Sequence, residues 1–206
     1  REIGAGVFAR CSSATVLTIG SGITKISSGA FEHCSSIAEI VIPDNVTVIG
    51  SRAFSWCRAP AATVSIGSGV TEIGHRAFEL CLMTSITIPD NVIAMGSYAF
   101  AGCGMLQSVV IGNGIKRISD YAFESCGSLT SIDFGSSVEE IGERAFQQCN
   151  GLTTITIPGS MKRIGLNAFR RCEKLASVNI EKGVEEIGEQ AFYQCKAITK
   201  VTIPDG

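Results

Sequence analysis

A β-rich repeat solenoid of about nine rungs is the fold class that this 206-residue sequence predicts. Three observations predict it. Cys11, Cys34, Cys57, Cys81, Cys103, Cys126, Cys149, Cys172 and Cys195 recur every 23 residues, apart from one spacing of 24 and one of 22. Each cysteine follows a phenylalanine by three positions, from Phe8 through Phe192, so one structural unit repeats end to end. Between the cysteines, an alternating apolar stretch of strand type returns in every unit.

One unit shows the elements in order: Cys149, then Leu152, Ile155 and Ile157, then Pro158, then Met161 and Ile164, then Gly165, then Ala168-Phe169-Arg170-Arg171-Cys172. The Leu-x-x-Ile-x-Ile segment places β-branched residues at alternate positions, as a strand lying on a core requires. It is the parallel strand of each rung, paired with its neighbours at roughly 4.8 Å, so nine rungs make a rod of roughly 40 to 45 Å. Proline or glycine ends it, as at Pro43, Pro89 and Pro158 or Gly20, Gly67 and Gly112.

The pair Val46 and Ile49, or Val184 and Ile187, predicts a short second extended piece, followed by glycine in seven of nine copies. Ala-Phe-x-x-Cys is too short for a stable α-helix, so a single helical or 3-10 turn is expected there. Its phenylalanines are expected to form a buried column of rings. Residues 1–206 read as a single solenoid domain. Both ends fall inside a repeat, so a longer chain carrying the caps is expected.

The repeat resembles a known family. Ala30-Phe31-x-x-Cys34, Ala122-Phe123-x-x-Cys126 and Ala191-Phe192-x-x-Cys195 recur in register with Ile42-Pro43-Asp44, Ile88-Pro89-Asp90 and Ile203-Pro204-Asp205. That pattern is similar to the BspA-like class of leucine-rich repeats, and the resemblance covers the whole chain. It implies a non-catalytic protein-binding scaffold, used for adhesion or recognition at a cell surface or after secretion. The alternative is a structural subunit or spacer within a stable multiprotein assembly. Departures from the pattern are few: Val7, Ala14, Met95, Met161 and Phe134 replace the usual residues of their columns. Arg58-Ala59-Pro60-Ala61 carries one extra residue and the stretch from Cys81 to Ile86 lacks one. That pair of shifts reads as a tolerated loop irregularity or as a binding bulge.

The side chains that usually carry chemistry point away from an enzyme. The nine cysteines stand a full repeat apart in a line, which suits neither a metal site nor a complete set of disulfides. They read as buried free thiols that act as small apolar residues. His33 and His75 occupy different columns and are expected on the surface, with no acidic orienter or oxyanion donors beside them. No catalytic residue, cofactor or metal site is expected. With 17 basic and 19 acidic residues, the chain has no electrostatic reason to bind nucleic acid. No apolar run is long enough for membrane insertion by this segment.

The expected partner is a protein. Outward strand positions, such as Thr63, Ser85, Ser108 and Thr154, or Ser65, Thr87 and Thr156, are small and mostly neutral, Glu39, Asp133 and Lys200 being charged, with no aromatic residue. That argues against a sugar-stacking platform on the strands. Lys116-Arg117, Glu139-Glu140, Lys162-Arg163 and Glu185-Glu186 alternate in sign in the same two columns, so stacking places opposite charges together. Arg52, Arg76, Tyr98, Tyr121 and Arg144 share one column, with Trp56 nearby. Arginine and aromatic side chains are enriched in binding hot spots, so these six residues are the candidate partner-binding strip.

Overall fold

A computed structural model describes residues 1–60 and 62–205. It is a stack of rungs, each after the first built from two strands and one broad turn. The short strands are β1 (Glu2–Ile3), β2 (Lys25–Ile26), β4 (Val48–Ile49), β6 (Glu72–Ile73), β8 (Ala94–Met95), β10 (Arg117–Ile118), β12 (Glu140–Ile141), β14 (Arg163–Ile164) and β16 (Glu186–Ile187). The long strands are β3 (Glu39–Ile42), β5 (Thr63–Ile66), β7 (Ser85–Ile88), β9 (Ser108–Ile111), β11 (Ser131–Asp133), β13 (Thr154–Ile157), β15 (Ser177–Ile180) and β17 (Lys200–Thr202). Every ladder is parallel and joins equivalent residues of neighbouring repeats, as Ile141 with Ile164 and Val178 with Val201.

The long strand expected in the first repeat is absent: residues 14–19 are unpaired. Ala14 stands where six of the other repeats carry leucine or isoleucine, and a cavity of about 350 Å³ opens there, lined by Phe8, Ala14, Leu17 and Phe31. Too little apolar volume holds that strand against the core.

One continuous apolar core runs from Ile26 to Cys195. At its centre the repeat phenylalanines stack face to face, with ring centroids 5.2 Å to 5.4 Å apart and planes within 10°. Eight of the nine cysteines are buried and all are free. Each buried thiol donates to the carbonyl of the phenylalanine one rung earlier, as Cys57 to Phe31 at 3.3 Å and Cys126 to Phe100 at 3.3 Å. Phe31 O also accepts the Cys34 amide at 3.2 Å, so both lone pairs of that carbonyl are used.

The turn at Ala-Phe-x-x-Cys corrects the expectation of a helical or 3-10 turn. Alternate amides go to different partners. In the second rung, Ala30, Glu32 and Cys34 donate to Ser27, Gly29 and Phe31 within the turn, while Gly29, Phe31 and His33 donate to Ser51, Ala53 and Ser55 of the next rung. A helix needs consecutive amides bonded within itself. Here Gly29 at φ 63° and His33 at φ 61° reverse the backbone twice, and the segment becomes three linked β-turns. Among the described residues there is no helix.

The ladders break at three places, each with a sequence cause. β5 and β7 are not paired. Cys57 precedes Thr63 by six residues and Cys81 precedes Ser85 by four, so the two connections differ by two residues. Of the irregular loop, Ala61 lies outside the described residues. β8 and β10 are unpaired where Ser119 takes the column of Gly50, Gly74 and Gly96. A Cβ at Gly74 would lie 2.6 Å from backbone atoms of the preceding rung, and Ser119 brings such a Cβ. Ser27 fills the same column against the first rung and keeps its ladder. The third break separates β11 from β13. There Phe134 turns inward, edge-on to Phe146 at 6.0 Å, and ends its strand one residue early.

Candidate binding surface

The broad turn presents two columns of left-handed residues. The first holds the residue before each alanine and the second the residue before each cysteine. Arg52, Arg76, Tyr98, Tyr121 and Arg144 lie in the first at φ between 51° and 60°, and Trp56 lies in the second at φ 62°. Left-handed backbone costs a residue with a Cβ roughly 1 to 2 kcal/mol, and glycine escapes that cost. Gly6 and Gly29 fill the first column in the opening rungs. Large side chains in the later rungs are therefore held at a cost to stability.

Four of the six candidates form one continuous stack. The Arg76 guanidinium lies 4.6 Å from the centre of the Tyr98 ring. Tyr98 and Tyr121 stack at 4.5 Å with planes within 10°. Arg144 closes the series 5.5 Å from the Tyr121 ring centre. Because the partners come from rungs on either side, both tyrosines spend their ring faces inside the stack and offer edges and hydroxyls outward. Cation–π contacts of this kind are worth roughly 0.5 to 1 kcal/mol at exposed sites.

Acidic and imidazole neighbours fix the ends of the stack. Arg76 donates to Glu79 at 3.1 Å and through Nε to His75 Nε2 at 3.0 Å. Partial burial, then the Arg76 and Arg52 guanidiniums, push His75 below the ordinary imidazole range, which leaves Nε2 free to accept. The Tyr121 hydroxyl donates to Glu143 at 3.0 Å and accepts from Arg144 at 3.2 Å. Partial burial and that bond to the Glu143 carboxylate raise the Tyr121 phenol, so it stays a donor.

Arg52 and Trp56 stand apart from the stack. Arg52 is exposed in the same column, with no carboxylate at ion-pair distance among the described residues. Trp56 packs on His33 at 5.3 Å with planes 22° apart, and the Arg58 guanidinium lies 5.3 Å from its ring centre. His33 is half-buried by this contact, against the expectation of an exposed residue, whereas His75 is exposed. Sequence reasoning missed His75, Glu79 and Glu143, whose signal was their fixed offset from the arginine and tyrosine positions.

The charge ladder and the long strands follow the sequence reading more directly. Lys116 pairs with Glu139 at 3.2 Å, Arg117 with Glu140 at 3.0 Å, Lys162 with Glu185 at 3.4 Å and Arg163 with Glu186 at 3.1 Å. Long strands alternate exposed and buried residues, as in Thr154–Ile157. Among the described residues no three His, Cys, Asp or Glu side chains converge as a metal site would require. No helix among them is long and apolar enough to cross a membrane.

The sequence profile of the BspA type leucine rich repeat region, in six copies, matches residues 1–107 and 94–206. A leucine-rich repeat protein from Bacteroides ovatus is 31% identical, with a TM-score of 0.71, over 97% of this chain and 58% of that one. A leucine rich cell surface protein from Faecalibacterium prausnitzii is 28% identical, with a TM-score of 0.53, over 100% of this chain and 70% of that one. A leucine rich repeat protein from T. pallidum is 25% identical, with a TM-score of 0.60, over 85% of this chain and 72% of that one. The chain thus spans little more than half the length of the Bacteroides ovatus protein. No curated protein matches it.

Proposed function

This chain belongs to the BspA type leucine-rich repeat family, and we propose that it is a non-catalytic scaffold that binds a protein through the Arg76-Tyr98-Tyr121-Arg144 stack. One observation carries the reading. These side chains occupy left-handed positions where glycine would be free of strain, and glycine does fill that column at Gly6 and Gly29. Strained positions held by bulky residues point to a role outside stability. The chemistry suits a protein partner: guanidiniums and phenol hydroxyls face outward, pre-ordered by stacking, which lowers the entropy lost on binding. Arg52 and Trp56 extend the same face toward the first rungs.

Recognition or adhesion at a cell surface is the setting we propose, supported by the Faecalibacterium prausnitzii relative, a cell surface protein at 28% identity. Antibody labelling of intact against permeabilised source cells tests the setting. Signal only after permeabilisation overturns it and favours a subunit of an internal assembly. The surface itself is tested by Arg76→Gly, Tyr98→Gly and Tyr121→Gly together, because glycine suits that backbone. Partner affinity is expected to fall about a hundredfold, near 3 kcal/mol, with the urea midpoint maintained. Unchanged affinity removes the stack from the binding surface.

A further inference from the structure

A shallow groove crosses the turn face of the first three rungs, one column away from the tyrosine stack. It encloses about 390 Å³ and is lined by Arg10, Ser12, His33, Ser35, Trp56 and Arg58. Arg10, His33 and Trp56 are successive members of the second left-handed column, at φ 62°, 61° and 62°. The groove therefore follows from the repeat: three rungs set three side chains in line, and Arg58 reaches over from the irregular loop. Its lining holds two guanidiniums, an imidazole, an indole and two hydroxyls, and no carboxylate.

Neither arginine of the groove is ion-paired, although Arg58 packs on the Trp56 ring. Arg76, Arg117, Arg144 and Arg163 each have a carboxylate within 4.0 Å. Among the described residues Arg10 and Arg58 have none, and neither has Arg52 nearby in the first column. Glu32, the acidic residue closest in sequence to His33, carries its carboxylate beside Gly29 and does not line the groove. Unpaired guanidiniums converging on one concavity form a site for anions, and their forked donors suit carboxylates.

We propose that this groove receives an acidic segment of the partner protein, with its Asp or Glu carboxylates on Arg10 and Arg58. The proposal rests on the protein-binding reading above and adds the chemistry of what is bound. A peptide fits better than an anionic sugar because His33 and the Arg58 guanidinium already pack on the Trp56 ring, so sugar stacking has little indole face to use. An extended segment with acidic residues at alternate positions presents carboxylates about 7 Å apart on one side. That repeat suits arginines carried two rungs apart, roughly 10 Å at the backbone before their long side chains converge.

Trp56 is the single tryptophan of the chain, so its emission reports on this groove alone. The probe is an acetylated, amidated hexapeptide alternating glutamate and serine, titrated into the whole chain at low salt. A saturable change in Trp56 emission is expected, weakening as salt is added. Arg10→Ser and Arg58→Ser are each expected to weaken it about tenfold, since both are exposed and outside the core. Lys174→Ser, on a distant rung, leaves the response unchanged.

Three results overturn the proposal: no saturable change up to about 1 mM peptide, equal binding by the double arginine variant, or equal loss in Lys174→Ser. Tighter binding of a sulfated oligosaccharide of equal charge overturns the assignment to a protein segment. The glycine variants at Arg76, Tyr98 and Tyr121 have their own readout, so a null result here refutes the groove and leaves the stack standing.

Discussion

Replacing Phe123 by alanine isolates the contribution of the ring column. The Phe123 side chain is fully buried and lies 5.3 Å from both Phe100 and Phe146, with planes within 4°. Its backbone keeps its bonds in the variant: the amide to Ala145 O at 2.8 Å, and the carbonyl accepting Cys149 Sγ at 3.2 Å. Only the ring is lost. A phenylalanine truncation in a core costs about 3 to 5 kcal/mol, and the upper part of that range applies where the surroundings cannot collapse. Bonded turns on either side hold the rungs apart here, so about 4 to 5 kcal/mol is expected. Phe8 is the control, being 45% exposed with a single ring neighbour at 5.4 Å. Its truncation is expected to cost about 1 to 2 kcal/mol. Urea titration of both variants, read as midpoint shifts at constant slope, gives the comparison. Equal losses at the two sites would refute the account of a column stabilised by its immediate neighbours.

The remaining predictions follow from the thiols, the glycine column and the charge ladder. Burial pushes the Cys57 thiol up to about 12 from 9.0, and Cys81 and Cys103 are also raised by burial. Below pH 9 this contribution to stability is fully present. Above pH 9 the unfolded chain sheds protons that the folded chain keeps, so stability falls as pH rises toward 12, by up to about 1.4 kcal/mol per pH unit for each thiol. Cys57→Ala is expected to flatten that slope by one thiol's share in urea titrations from pH 8 to 11. Gly74→Ala places a Cβ 2.6 Å from the Gly50 and Ser51 backbone and is expected to cost more than about 2 kcal/mol. Gly127→Ala meets nothing within 4 Å and is expected to stay within about 0.5 kcal/mol of the parent chain. Equal melting temperatures for the two variants would contradict the steric account. Glu139→Lys with Glu140→Lys replaces the pairs to Lys116 and Arg117 by like charges. It is expected to cost about 1 to 2 kcal/mol at low salt and much less near 1 M salt.

The sequence reveals the features that repeat. Stacking equivalent residues turns a column of letters into a column of contacts, so the phenylalanine stack, the thiol ladder and the alternating ion pairs could be read directly from spacing. The turn at Ala-Phe-x-x-Cys was not legible because its backbone is set by bonds to the next rung. Phe31 and His33 send their amides to Ala53 and Ser55, 22 residues away, and no local propensity reports such a bond. The usual sign of left-handed backbone is glycine or asparagine, yet Arg76, Tyr98 and Tyr121 occupy it. The candidate strip was legible as a column of hot-spot residue types. Its stacking was not, because the order Arg, Tyr, Tyr, Arg matters only once adjacent rungs bring the rings to 4.5 Å. The ladder break at Ser119 had a visible signal in the missing glycine, although Ser27 shows that the same substitution can be absorbed elsewhere.

The division of labour within a rung explains how one side can vary while the stack persists. Inward residues of the turn, Ala53, Phe54 and Cys57 in the third rung, are fully buried; Phe54 stacks on both neighbours, and Ala53 and Cys57 bond to Phe31 of the preceding rung. The left-handed residues beside them, Arg52 and Trp56, give their amides to His75 O and Glu79 O at 2.8 Å, so their backbone is fixed whatever the side chain. Side-chain identity in those two columns is therefore released from folding, apart from a strain roughly the same for every residue with a Cβ. Arginine, tyrosine, tryptophan, histidine, leucine and glutamine all appear in them. A surface whose positions are rigid and whose residues are free suits the binding role proposed for the turns. On the long strands the same freedom is spent on small polar residues such as Thr154 and Thr156, which supply neither the reach nor the charge that a hot spot needs.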